Sequence, residues 1–178
     1  MRRPVVLSGC SGGGKTTLLE ALSRRGYATV TEPGRRIINL VTEPTDHRLP
    51  WNDPVSFAEA AVAMALEDLE NLPPAKGPVF VDRGLVDAVL GYAHASDKTD
   101  LNHLLDDHRY HDQVFLTPPW EEHFHPDDDR RHDFPAAAAE YQRLLAGYEA
   151  LGYRVAILPK IPVSARCDFV LDRLQQSG

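Results

Sequence analysis

The sequence predicts an α/β protein: five parallel strands in one sheet with helices on both faces, a three-layer α/β/α sandwich. Short apolar runs alternate with longer stretches whose apolar residues recur at helical spacing, the pattern of a parallel sheet with crossover helices. A glycine-rich turn, Gly9-Cys10-Ser11-Gly12-Gly13-Gly14-Lys15-Thr16, joins the first strand-like run to the first helix-like one. Polar features follow the first three strands, at the carboxyl edge where such sheets bind ligands.

The first strand spans about Val5–Ser8, and a helix runs from Lys15 to about Arg25, ended by Gly26. Tyr27 to Thr31 reads as the second strand, closed by Glu32-Pro33-Gly34, with a helix through Arg36–Leu40 after it. Pro44, Pro50 and polar side chains make residues 43–52 a loop. Asp53-Pro54 is an N-cap followed by proline at the first helical position. Phe57, Ala61, Met64 and Ala65 then form a core-facing stripe, and Pro73-Pro74 stops that helix. Pro78 to Asp82 is a continuous apolar run ending in an acid, a buried central strand. Residues 85–108 read as mostly helical, Gln113–Thr117 as the fourth strand and 118–135 as a polar segment bounded by prolines. Tyr141, Leu144, Leu145, Tyr148 and Leu151 keep helical spacing. Tyr153–Leu158 is the fifth strand, and Ser164–Leu174 the closing helix.

The glycine-rich turn fits G-x-x-x-x-G-K-[ST], and its strand–loop–helix context is the one a phosphate-binding loop needs. Glycines let successive N–H groups point into one concavity, and the helix that begins there favours an anion through its dipole and free N–H groups. Gly9, Ser11, Gly12, Gly13, Gly14, Lys15, Thr16 and Thr17 are therefore the candidate nucleotide-binding residues. Lys15 is placed to neutralise the β- and γ-phosphates, and the Thr16 hydroxyl to ligate Mg²⁺.

Asp82 ends a central strand opposite this loop, where phosphate-loop enzymes keep a carboxylate that holds Mg²⁺ directly or through water. Arg83 either contacts a phosphate or substrate, or pairs with Asp82. Glu32, at the tip of the second strand, accepts a proton from an attacking hydroxyl, binds substrate hydroxyls or acts as an outer metal ligand. One of Arg35 and Arg36 faces substrate while the other is solvated. The length and polarity of 118–135 suggest a mobile lid. In it Arg130 and Arg131 are placed to close over a transferring phosphoryl group, although six carboxylates flank them. Trp120 is an apolar anchor or a stacking platform, and His123-x-His125 lacks the spacing of a specific zinc site.

Size and charge narrow the function further. At 178 residues with 43% hydrophobic content the chain suits one domain, 1–178. The net charge of −7 argues against a nucleic-acid partner. No window approaches the ~20 apolar residues of a membrane span. Met1-Arg2-Arg3-Pro4 runs directly into the first strand, leaving no room for a signal peptide. Cys10 and Cys167 make no disulfide framework. A cytoplasmic protein is the expectation; oligomeric state is left open.

Together, the phosphate loop, Glu32-Pro33-Gly34-Arg35-Arg36, Val81-Asp82-Arg83-Gly84, Pro119-Trp120 with Asp129-Arg130-Arg131, and Leu151-Gly152-Tyr153 through Leu158-Pro159-Lys160 resemble the small P-loop kinase-like domains labelled AAA-type ATPases. These are similar to the ribosylnicotinamide kinase domain of the bacterial NAD-biosynthesis regulator. Glu-Pro and Asp-Arg at these strand ends also look like those of deoxynucleoside and thymidylate kinases. The resemblance implies the P-loop NTPase fold, Mg-ATP as donor and a lid carrying arginines. The expected activity is transfer of the γ-phosphoryl of ATP to a hydroxyl of a nucleoside-like acceptor. The alternative is a nucleotide-dependent binding or regulatory module, or a stand-alone NTPase. No Asn-Lys-x-Asp guanine motif is present.

Overall fold

The computed structural model describes residues 3–10, 12–120 and 134–176. The strands are β1 (Val5–Gly9), β2 (Ala28–Val30), β3 (Val79–Asp82), β4 (Gln113–Thr117) and β5 (Arg154–Ile157). The helices are α1 (Lys15–Arg24), α2 (Pro33–Leu40), α3 (Pro54–Glu70), α4 (Leu85–Ser96), α5 (Leu104–Asp107), α6 (Phe134–Ala150) and α7 (Val163–Gln176). All four strand pairings are parallel, in the order β2-β3-β1-β4-β5. Five parallel strands between two helical layers are the architecture that the sequence predicts.

Alternation along the strands divides the interior. Val5 and Leu7 of β1, Phe80 of β3 and Phe115 of β4 face one layer, where Leu18, Leu19 and Leu22 of α1 meet Cys167 and Val170 of α7. Val6, Val81, Val114 and Leu116 face the other, against α3, α4 and α6. Because successive side chains of a strand point to opposite faces, strands buried on both sides need the nearly continuous apolar runs seen here.

Local chemistry sets the boundaries. Asp53 caps α3 as expected, its carboxylate accepting from the N–H groups of Val55 and Ser56, each at 3.1 Å, with Pro54 opening the helix. The face that α3 buries is Ala58, Ala61, Val62 and Ala65; Phe57 and Met64 of the expected stripe are half-buried. Residues 85–108 are mostly helical as expected, in two pieces: α4 ends at Ser96, Asp97 turns left-handed (φ 56°), and turns lead to the short α5. The polar run Asp97-Lys98-Thr99-Asp100 has no apolar residue to hold a helix against the core. Phe134 and Pro135, the last two residues of the expected lid, belong to α6, and residues 121–133 lie outside the described residues. Among the described residues no helix is long and apolar enough to cross a membrane.

Candidate functional site

The loop after β1 is shaped by close approach. Gly9 has φ 116°, and a Cβ there would stand 2.3 Å from the Thr117 carbonyl oxygen of β4, so only glycine fits where β1 gives way to the loop. Gly14 is left-handed (φ 73°) and is the N-cap of α1. Lys15 follows it, only 5% exposed, with Nζ donating to the Cys10 carbonyl oxygen. Burial pushes its ammonium below the usual lysine value of 10.5; Arg83 pushes the same way, while Asp82 and Glu32 oppose. Thr17 is exposed at the rim, and Ser11 lies outside the described residues.

The β1–β3 register sets Leu7 beside Asp82, which brings the end of β3 against the loop. Asp82 is buried, its Oδ2 accepting from Thr16 Oγ1 at 3.2 Å, whereas Oδ1 is buried with no hydrogen-bond partner. Burial raises the Asp82 pKa above its ordinary 3.8, with Lys15 opposing. An unsatisfied buried carboxylate oxygen beside a hydroxyl fits Mg²⁺, which takes one or two protein oxygens and completes its shell with water and phosphate. Among the described residues there is no group of three or more His, Cys, Asp or Glu that could hold a metal ion.

Arg83 organises the neighbouring strand ends. It sits at φ 60°, a left-handed conformation that costs a non-glycine residue about 1–2 kcal/mol, and its N–H donates to the Leu7 carbonyl oxygen at 2.8 Å. The pairing with Asp82 that the sequence left open is not the one formed. Nε lies 3.2 Å from Glu32 Oε1, and Nη1 lies 2.8 Å from Glu140 Oε1 and 4.0 Å from Asp87 Oδ1. Glu32 is the N-cap of α2 and also lies 3.5 Å from Arg35 Nε. Arg36 is half-buried, its guanidinium binding Asp68 of α3 through two contacts, one of 3.0 Å. Asp87 accepts from Ser8 Oγ, from the Gly84 N–H at 3.1 Å and from Tyr148 Oη at 2.6 Å.

A cavity of about 600 Å³ runs over the loop, lined by Gly14, Lys15, Thr16, Glu32, Trp120 and Arg166 among others. The three predicted strand-end features therefore do meet. Lys15, Thr16 and Glu32 line the cavity, with Asp82 and Arg83 directly behind Thr16 and Glu32. Arg130, Arg131, His123 and His125 lie outside the described residues. Sequence reasoning missed Glu140 and Arg166. Both sit on helices whose local sequence reads only as amphipathic, and the one available signal was a charged residue on an otherwise buried face.

The profile of a family described as AAA domain matches residues 4–166. A nucleotide-binding protein of Granulibacter bethesdensis (strain ATCC BAA-1260 / CGDNIH1) is 30% identical over 92 residues, which is 50% of this chain and 28% of that protein, so the chain matches under a third of this relative. Among solved structures, the NadR protein in complex with NR aligns with TM-score 0.72 and 17% identity, over 98% of this chain and 51% of that one. Deoxyadenosine kinase from M. mycoides with bound dATP aligns with TM-score 0.59 and 15% identity, over 98% of this chain and 100% of that one. At these identities the likeness shows the fold alone, a P-loop NTPase fold.

Proposed function

Since the chain belongs to this AAA domain family of P-loop proteins, we propose that it is a small-molecule kinase that moves the γ-phosphoryl of ATP to a hydroxyl of a nucleoside-like acceptor. One observation carries the reading. Glu32, the carboxylate to which this reading gives the proton, lines the same cavity as Lys15 and Thr16, with Arg83 Nε 3.2 Å from its Oε1.

In this mechanism the loop amides and Lys15 hold the donor phosphates. Thr16 and Asp82 would hold Mg²⁺, which when bound neutralises charge on the phosphates. Glu32 orients the acceptor hydroxyl and takes its proton as the new oxygen–phosphorus bond forms and the bond to the bridging β–γ oxygen breaks, releasing ADP. Arg83 fixes the Glu32 carboxylate by ion pairing at 3.2 Å. Arg130 and Arg131 keep the role that the sequence assigns them, closure over the transferred group. Such a kinase works in the cytoplasm, where ATP is held. Catalysis rests mainly on positioning and charge stabilisation.

The test is ADP release from Mg-ATP across a panel of nucleosides, ribosylnicotinamide and other small alcohols. Stimulation by one acceptor, abolished in Lys15→Ala, is the expected result. A second reading, a nucleotide-binding regulatory module or NTPase with little turnover, is favoured by the engagement of Glu32 with both Arg35 and Arg83. It expects tight ATP binding with no stimulation anywhere in the panel.

A further inference from the structure

Arg166 is a cavity residue to which phosphoryl transfer, as described above, gives no task. It lies in the first turns of α7 and is only 8% exposed. Its Nε and Nη1 are shut off from solvent and have no hydrogen-bond partner. Among the described residues no carboxylate contributes to its electrostatics, and burial pushes its pKa below the usual arginine value. Trp120 covers one face of the guanidinium, its ring centroid 5.2 Å away. A buried cation with unanswered donors is costly, and Cys167 and Val170 of the same helix belong to the apolar core.

Its position supplies a use. Nη1 stands 3.0 Å from where a Cβ on Gly14 would project, so the guanidinium reaches over the residue that caps α1 and opens the phosphate nest. Gly14, lacking a side chain, leaves that passage clear. Its face lies against Trp120 and two of its donor nitrogens have no partner; arginine recognises phosphate through such N–H donors. Within the nest Lys15 is the one basic residue of the loop, against a nucleoside triphosphate of several negative charges.

We propose that Arg166 is a phosphate-binding residue for the donor nucleotide, gripping its polyphosphate from the α7 side while the loop amides hold it from the other. The inference rests on the nucleotide-binding reading of the loop and adds to it a ligand in a different helix.

The experiment is calorimetric titration of ADP, inorganic tripolyphosphate and adenosine into the wild type, Arg166→Met, Arg166→Lys and Lys15→Ala, with the melting temperature of each nucleotide-free protein. Removing an unpaired buried charge should leave the Arg166→Met melting temperature equal or higher. Its affinity for ADP and for tripolyphosphate should fall about ten- to hundredfold, the scale of a charge-assisted hydrogen bond. Adenosine binding should be unchanged, and Arg166→Lys should recover part of the loss. A loss confined to adenosine would assign Arg166 to the base and overturn the proposal. So would a nucleotide-free Arg166→Met that melts well below the wild type, since that marks a structural role. Arg166→Met and Arg166→Lys binding ADP like the wild type would defeat this inference alone. A wild type that binds ADP no better than Lys15→Ala would defeat the nucleotide-site reading beneath it.

Discussion

Two buried carboxylates five residues apart in sequence, Asp82 and Asp87, differ in one respect. Asp87 is saturated: Ser8, Tyr148 and the Gly84 N–H all donate to it. Asp82 accepts from Thr16 alone and leaves Oδ1 buried without a partner. Burial raises the pKa of both. A folded chain that answers every donor around one carboxylate and leaves the other open has assigned them different work. The first ties β1, α4 and α6 together; the second is the one that the proposed function assigns to a cation. Arg166, whose Nε and Nη1 are also buried without a partner, belongs with Asp82 in this contrast.

The contrast is broken most directly at the open site. Lys15→Ala and Asp82→Asn should each lower acceptor-stimulated ADP release about 10²- to 10³-fold, the scale of removing one preorganised electrostatic contact. Their nucleotide-free melting temperatures should stay close to the wild type. Comparable turnover with collapsed stability would reverse the assignment. At the saturated site the outcome should invert. Asp87→Ala strips the acceptor from three donors and one of three carboxylates from Arg83. It should cost about 3–5 kcal/mol, a melting-temperature drop on the order of 10 °C, measurable by calorimetry. Tyr148→Phe removes one of those donors while the Gly84 N–H still serves the same oxygen, so about 1–2 kcal/mol is expected. Turnover at 25 °C should barely change.

How much of this was readable beforehand follows from the range of the forces involved. The five strands, Asp53 as a cap and the loop after β1 were legible because each depends on neighbours within a few residues. The convergence of Lys15, Thr16, Glu32 and Asp82 was legible because parallel strands place their carboxyl ends on one edge. The partners of Arg83 were not: Glu140 lies 57 positions away on α6, and the pairing arises only when α6 packs on the sheet. Arg166 was hidden for the same reason, since its relation to Gly14 comes from the packing of α7 on α1. Of the stripe expected on α3, Ala61 and Ala65 are buried and Phe57 and Met64 half-buried, because Ala58 and Val62 complete the face that packs on the core.

A smaller effect sharpens the open site through Lys15. Its ammonium is held below 10.5 by burial, and polyphosphate favours the charged form. Nucleotide affinity should therefore be full while Lys15 is protonated, and fall as pH rises through its depressed pKa. Lys15→Arg, which stays protonated, should show a flatter profile in titrations from neutral to alkaline pH.

The finest test compares the two carboxylates through stability alone. Each has a folded pKa raised above 3.8, so between 3.8 and that raised value the folded state binds more protons than the unfolded one. Stability then falls as pH rises through this window, the reverse of a salt-bridged carboxylate. Asp82→Asn deletes one such group while keeping an oxygen for Thr16, so the decline should be shallower in the variant, measured by urea unfolding of the nucleotide-free protein. Mg-nucleotide favours ionised Asp82 and should flatten the wild-type profile in the same direction. Asp87 has its acceptors filled already, and its share of the slope should persist whether or not nucleotide is bound. A wild-type slope that nucleotide leaves untouched would mean that Asp82 does not face the ligand, and the contrast between the two carboxylates would lose its functional half.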